Sequence, residues 1–333
     1  SDTSKRGCGW RCCTQMISIK DLYKSYDGNE VLHGVSLDVA PGELMVLIGP
    51  SGCGKSTLLK CINRMVNFDS GTIHVGGRDV RQYREEVLRR GIGYCIQEVG
   101  LFPHMSVYEN IATVPRLLKW PEPKIRERAA ELMGIGGLPA GYLTKYPRQL
   151  SGGEAQRVGV LRALASDPPV LLMDEPFGAV DPLNREKLQK EFLRIQTELK
   201  KTVIFVTHDV DEAILLADRI TLMDKGKVVA IDKPVGLEAL LDDGFVGGFL
   251  GLEYPLRLLK RYEVGELELC DVDEGALDKD AGAVQISPET TLKDLLSMMI
   301  RSDKDYIQVR KPDGRYCRMG LEDIKWLLHY AKR

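Results

Sequence analysis

The chain has 333 residues, 44% of them hydrophobic, with 46 Lys and Arg against 48 Asp and Glu. A formal charge of -2 excludes bulk attraction to nucleic acid or to an anionic membrane, so any such binding has to be local and no nucleic-acid partner is expected. The length suffices for a full core plus a second, smaller module, and no run approaches the roughly 18 uncharged apolar residues of a membrane span, so a soluble or peripheral protein of two domains is expected.

Residues 1–15 carry no helical or strand period and are set aside as a leader or disordered extension. Cys8, Cys12 and Cys13 crowd this stretch, but the eight cysteines are scattered and form no disulfide framework, and a zinc pair of Cys8 and Cys12 lacks a second close pair. The leader has no apolar h-region, so a cytosolic setting with reduced thiols is expected. Residues 17–22 and 32–39 read as antiparallel strands around the turn Asp27-Gly28-Asn29. The apolar run Leu44-Met45-Val46-Leu47-Ile48 then leads into Gly49-Pro50-Ser51-Gly52-Cys53-Gly54-Lys55-Ser56-Thr57 and a helix-like stretch. This fits G-x-x-x-x-G-K-[ST], in which small residues turn successive backbone N–H groups toward phosphates and the helix N-terminus adds its positive dipole end. Lys55 is placed to reach β- and γ-phosphates, and Ser56 to hold Mg²⁺.

Short strands follow at 71–77 and 92–96, the second ending at Gln97. From about 98 to 150 the chain reads as a helical insert: Ser106 and Glu109 have capping-box spacing, and 123–133 is a charged amphipathic helix. Alternation then resumes, with helices at 153–165, 185–199 and 210–217 and strands at 170–173, 202–207 and 220–223, which implies a largely parallel sheet covered on both faces. The strand at 170–173 ends in Asp174-Glu175, at the sheet edge that also receives the phosphate loop. Asp174 suits Mg²⁺ through its water shell, Glu175 suits a general base for the attacking water, and His208, ending the next strand, suits a γ-phosphate contact. Ser151 and Glu154 have capping-box spacing, which leaves Gly152 and Gly153 unexplained. Two glycines at an exposed helix start let a second anion approach the backbone.

Taken together, the phosphate loop, Gln97, Leu150-Ser151-Gly152-Gly153-Glu154, Asp174-Glu175, Gly178-Ala179-Val180-Asp181 and His208 resemble an ABC transporter ATPase subunit over residues 16–240. The resemblance implies a P-loop NTPase with a RecA-like α/β core, an antiparallel β layer and a helical insert. It also implies a head-to-tail homodimer in which each ATP, with Mg²⁺, lies between one phosphate loop and the partner's Ser151 and Gly153. Tyr26 matches the family's adenine-stacking aromatic, Gln97 its sensor of Mg²⁺ and attacking water, and Asp181 its contact to the opposite subunit. Glu154 departs from the family's commoner glutamine.

With no fused membrane span, the resemblance implies separate integral membrane permease subunits, indirectly a solute-binding protein, and a location on the cytoplasmic face of the membrane. The insert, with Leu101-Phe102-Pro103-His104-Met105-Ser106, resembles the quaternary-amine osmoprotectant importers of glycine betaine, choline or carnitine. An amino-acid-type importer and a non-transport soluble ABC ATPase are the alternatives. After a linker at 241–255, residues 256–333 read as helix 291–301, strand 305–309, turn Pro312-Asp313-Gly314-Arg315 and helix 322–330, an order resembling one CBS module with regulatory use. Gly320 stands where a nucleotide-binding module of that type has Ser or Thr before Asp323. The acidic run Asp271-Val272-Asp273-Glu274 is expected to be a solvated loop.

Overall fold

The computed structural model describes residues 15–96, 100–178, 180, 182–264, 271–272, 287, 289–302, 306–310 and 316–330. By internal contacts the chain divides into two compact units, the second beginning at Asp232, ahead of the 241–255 linker.

The first unit opens with a hairpin of β1 (Ile17–Tyr26) and β2 (Asn29–Val39). Its turn residues Asp27 and Gly28 both have positive φ, 49° and 82°, as a two-residue turn matched to strand twist requires. There follow β3 (Leu44–Ile48), α1 (Lys55–Ile62), β4 (Ser70–Val75), β5 (Arg78–Asp79), α2 (Glu85–Arg90) and β6 (Ile92–Cys95). The insert contains α3 (Val107–Leu117) and α4 (Glu122–Ile135), and α3 packs against both α4 and α5 (Gly152–Leu164). The Ser106–Glu109 capping box forms in full at the start of α3. The unit closes with β7 (Val170–Asp174), α6 (Pro182–Leu199), β8 (Thr202–Val206), α7 (Val210–Leu216), β9 (Arg219–Asp224) and β10 (Lys227–Asp232).

Two sheets result. β2-β1-β4-β5 is the expected antiparallel layer. The other has the order β10-β9-β3-β8-β7-β6, and its β9-β3-β8-β7-β6 pairs are parallel. Every residue of β3 and β8 is buried, as a sheet covered on both faces demands. Alternation sorts the two faces. Met45, Leu47, Val170, Leu172, Ile204 and Val206 join one core cluster, whereas Phe205 turns to the opposite face against Phe177 and Phe192 at centroid distances of 5.7 and 6.1 Å. The register places Leu47 and Asp174 both opposite Val206, so β3, β8 and β7 end level.

β10 departs from the expected texture change after Gly226. It is an edge strand joined to β9 by Lys225-Gly226, and although Val228-Val229-Ala230-Ile231 is an apolar run, only Ala230 is buried along it.

The second unit contains α8 (Gly244–Leu250), α9 (Tyr254–Leu258), β11 (Asp271–Val272), α10 (Leu292–Ser302), β12 (Tyr306–Arg310), β13 (Tyr316–Gly320) and α11 (Leu321–Tyr330). Its antiparallel sheet has the order β11-β13-β12, and a core of Leu259, Val264, Leu292, Leu295, Met299, Ile307, Met319 and Ile324 forms within it. Asp271 and Val272 therefore correct the loop expected there: backbone pairing to Cys317 and Tyr316 overrides the low strand propensity of an acidic run. Asp273, Glu274 and the turn 312–315 lie outside the described residues.

Candidate functional site

The level ends of β3, β7 and β8 put three polar segments on one edge. After β3, Gly49, Gly52 and Gly54 take φ of 151°, 79° and 102°, a sequence of positive values that lets the loop curl back. Gly54 is the N-cap of α1, and a Cβ there would come within 2.7 Å of Leu32 and 2.9 Å of the Val31 carbonyl, so the β1–β2 hairpin is packed onto the loop. Ser51 and Gly52 are exposed at the tip, Ser56 and Thr57 are half-buried in the first turn of α1, and Cys53 is buried. Lys55 is also buried; its Nζ donates to the Gly49 and Pro50 carbonyls at 2.7 and 2.9 Å and lies 3.6 Å from Cys53 Sγ.

Ser56 Oγ donates to Asp174 Oδ1 at 2.9 Å, joining the phosphate loop to the end of β7. Burial pushes the Asp174 carboxyl above the usual carboxylate range; the Ser56 hydrogen bond opposes this and neighbouring Glu175 adds to it. A half-buried hydroxyl and a carboxylate form a hard-oxygen donor pair, which suits Mg²⁺ keeping several of its waters.

Glu175 has φ of 44°, a strained conformation for a non-glycine residue, costing about 1–3 kcal/mol. It is held there because its N–H donates to the Val206 carbonyl at 3.0 Å and its own carbonyl accepts from Gly178 N–H at 3.1 Å. Its Oε2 lies 3.2 Å from His208 Nδ1. The structure thus brings His208, expected at the γ-phosphate, directly against the expected base. Tyr26 ends β1 opposite Asn29, its ring exposed, with Lys24 Nζ 5.0 Å from the ring centre.

The second helix start is built differently. Ser151 Oγ accepts from Glu154 N–H at 3.3 Å while Glu154 Oε2 accepts from Ser151 N–H at 2.7 Å, the expected capping box, and Tyr142 adds a hydroxyl to Glu154 Oε1 at 3.2 Å. These bonds, the Ser151 N–H first, hold the Glu154 carboxyl below its usual range. A Cβ on Gly152 would meet nothing within 4 Å, and one on Gly153 only Leu188 at 3.8 Å. Packing among the described residues does not require either glycine.

Gln97 and Asp181 lie outside the described residues. Three residues that sequence reasoning passed over hold the site together. Gln156, buried on α5, donates its Nε2 to the Pro176 carbonyl beside Glu175. Arg185 and Asp209 form an ion pair behind His208. A glutamine on the buried face of α5 is a visible signal; an Arg and an Asp after strand and helix boundaries are not.

A family model described as ABC transporter matches residues 32–178. The chain is 43% identical over 319 residues to the glycine betaine/carnitine/choline transport ATP-binding protein OpuCA of Bacillus subtilis, covering 96% of this chain and 81% of that protein. The chain belongs to the ABC transporter family. It is an ATP-binding subunit, and its activity is ATP hydrolysis coupled to transport. The osmoprotectant import ATP-binding protein OsmV of Salmonella typhimurium is 44% identical over 306 residues, 90% of this chain and 78% of that protein. Among solved structures, a dimeric ATP-binding cassette in a post-hydrolysis state with ADP and Pi superposes with a TM-score of 0.59 and 32% identity, covering 66% of this chain and 98% of that one. No helix among the described residues is long and apolar enough to cross a membrane.

Proposed function

We propose that two copies of this ABC subunit bind ATP and Mg²⁺ head to tail and drive import of a quaternary-amine osmoprotectant through a separate membrane permease. The observation that carries the reading is the single edge on which Ser56 meets Asp174 and Glu175 meets His208. Glu175 is the general base; its strained backbone and the imidazole beside it aim the carboxylate and restrict its rotamers. His208 holds that carboxylate through Nδ1. Lys55 exchanges its two loop carbonyls for phosphate oxygens, and the loop amides from Ser51 to Thr57 donate to the same anion. Ser56 and Asp174 would hold the metal, whose positive charge would offset the negative charge of the phosphates; Gln97 is proposed to assist both metal and attacking water. Ser151 and Gly153 serve the partner's γ-phosphate, because Gly152 and Gly153 leave open space at a helix N-terminus; Asp181 is assigned to the opposite subunit on the family resemblance alone. Tyr26 presents an exposed ring for adenine.

The choice of solute rests on the relatives named for glycine betaine, carnitine, choline and osmoprotectants. Residues 256–333 are proposed as a regulatory, CBS-like module placing the subunit under control of ionic strength or a small ligand. Asp323 Oδ2 accepts from Gly320 N–H at 2.7 Å and so caps α11. The location follows as the cytoplasmic face of the membrane, with a solute-binding protein as an indirect partner.

In the reconstituted importer, glycine betaine, choline or carnitine uptake should require ATP and this chain. Glu175→Gln should keep ATP binding, trap a dimer and lower turnover by roughly 10²–10⁴-fold. Near-normal hydrolysis by that variant overturns the base assignment, and transport of amino acids in place of quaternary amines overturns the solute. Deleting 256–333 with no change in the salt response of transport removes the regulatory role.

A further inference from the structure

Glu175 is held against His208 by a closed loop of contacts that runs through α6. From Glu175 the chain turns tightly, Gly178 N–H donating to the Glu175 carbonyl and Val180 N–H to the Phe177 carbonyl, both at 3.1 Å. Val180 ends this turn, and its carbonyl accepts Arg185 Nη2 at 3.0 Å. The other arm of the same guanidinium, Nη1, lies 3.5 Å from Asp209 Oδ2. Asp209 follows His208 directly, and His208 Nδ1 returns to Glu175 Oε2 at 3.2 Å.

Asp209 is itself firmly placed. Its Oδ1 caps α7, accepting from Asp211 N–H at 2.9 Å and Glu212 N–H at 3.3 Å, and its own N–H donates to Thr207 Oγ1 at 3.0 Å. A planar fork with two fixed partners sets the distance between them, which a flexible ammonium cannot do. Both pair members are about a quarter to a third exposed, with side-chain exposures of 27% and 33%, so the charge attraction is partly screened and geometry is the larger contribution.

We propose that Arg185 is a positioning residue for hydrolysis: it fixes the spacing between the turn after Glu175 and the turn bearing His208, and thereby the Glu175–His208 contact. The inference rests on Glu175 being the base. The Arg185 guanidinium bonds to the Val180 carbonyl and Asp209 and to no residue of the phosphate loop nor to Asp174, so its removal should leave ATP binding intact and slow the chemical step. Misplacement of a reacting group by about an ångström can cost on the order of a hundredfold.

The test is steady-state hydrolysis by the full chain carrying Arg185→Ala, Asp209→Asn or both. Asp209→Asn retains a good N-cap for α7 and weakens only the ion pair, so it decides the matter alone if Arg185→Ala does not fold. Each variant should lose roughly 10- to 100-fold in kcat with KM for ATP within about twofold of native, and the double variant should be no worse than the more damaged single one. Native kcat in Asp209→Asn, a rise in KM with kcat retained, or additive losses would overturn the proposal. Full activity in Glu175→Gln would instead remove the reading on which it rests, and the two failures are separable.

Discussion

The two helix N-termini proposed to face phosphate are built by different means. At α1 the N-cap is Gly54 in a left-handed conformation with no side-chain cap; close neighbours demand Gly54, under the hairpin, and Gly49, against the end of β9, while Gly52 is called for by its φ of 79°. At α5 the cap is complete from side chains, and the glycines next to it have open space. The first start is shaped by its own chain; the second is finished in itself and open outward. A glycine that packing does not require points to something that arrives, and in the proposed dimer that is the other subunit's nucleotide.

The sharpest way to break the contrast is at Gly49. A Cβ there collides with the Met223 carbonyl and comes within 2.9 Å of Cys53 Sγ, at a φ of 151° that side chains avoid. Gly49→Ala should cost about 3 kcal/mol or more in stability and abolish ATP binding, read by thermal unfolding and nucleotide titration. A stable, ATP-binding variant would show that the loop is not shaped by its neighbours. Gly152→Ala is the counterpart. It should leave stability level or raise it by about 0.5 kcal/mol, since alanine is the better helix residue, while hydrolysis falls by roughly tenfold or more as the methyl meets the second subunit's phosphate. Stability and turnover both unchanged would mean that nothing docks there.

A smaller effect separates the buried carboxylate from the exposed cap. The Asp174 carboxyl is raised, so folding favours its protonated form. Its contribution to stability is complete below the ordinary aspartate range and is lost as pH rises through the raised value. Unfolding of native protein compared with Asp174→Asn should show this loss on raising pH without Mg²⁺, and much less of it with Mg²⁺, which favours the ionised form. Comparison with Asn isolates Asp174 from Glu212, whose carboxyl is also raised by burial. Identical pH profiles with and without the cation would count against metal binding at Ser56 and Asp174.

What the sequence makes legible follows from periodicity and loop chemistry. Strand β3, the phosphate loop and α1 are local, and so are the two capping boxes, because each depends on residues within a few positions. The edge strand β10 is less legible because only Ala230 along it is buried, and β11 because it is two residues long and pairs with β13 more than forty residues away. The site shows the same division. Lys55, Ser56, Asp174 and Glu175 announce themselves at strand ends, whereas Arg185 is an arginine four residues beyond Asp181 whose use appears only when α6 is laid beside α7. His208 reads from the sequence as the end of a strand at the same edge, but its contact with Glu175 depends on the register of β7 on β8.

The smallest change is at Glu154, and it tests the outward-facing half of the contrast by charge alone. Glutamine can present a carbonyl oxygen where Glu154 Oε2 now accepts the Ser151 N–H, and its amide can donate to the Tyr142 oxygen, so the cap persists in Glu154→Gln. The helix loses a favourable negative charge near its N-terminus, worth a few tenths of a kcal/mol at an exposed site. The same charge stands beside the position proposed for the partner's γ-phosphate, where it repels. Removing it should therefore lower the ATP concentration needed for dimerisation by up to about threefold at low salt, with the advantage shrinking as ionic strength rises and the Debye length falls from about 30 Å at 0.01 M to about 8 Å at 0.15 M. Sedimentation of Glu175→Gln with and without the second substitution, across that salt range, gives the reading. An advantage that does not depend on salt would mean that Glu154 acts through the cap and not through its charge, and the α5 terminus would then be no more open to a second anion than its hydrogen bonds already make it.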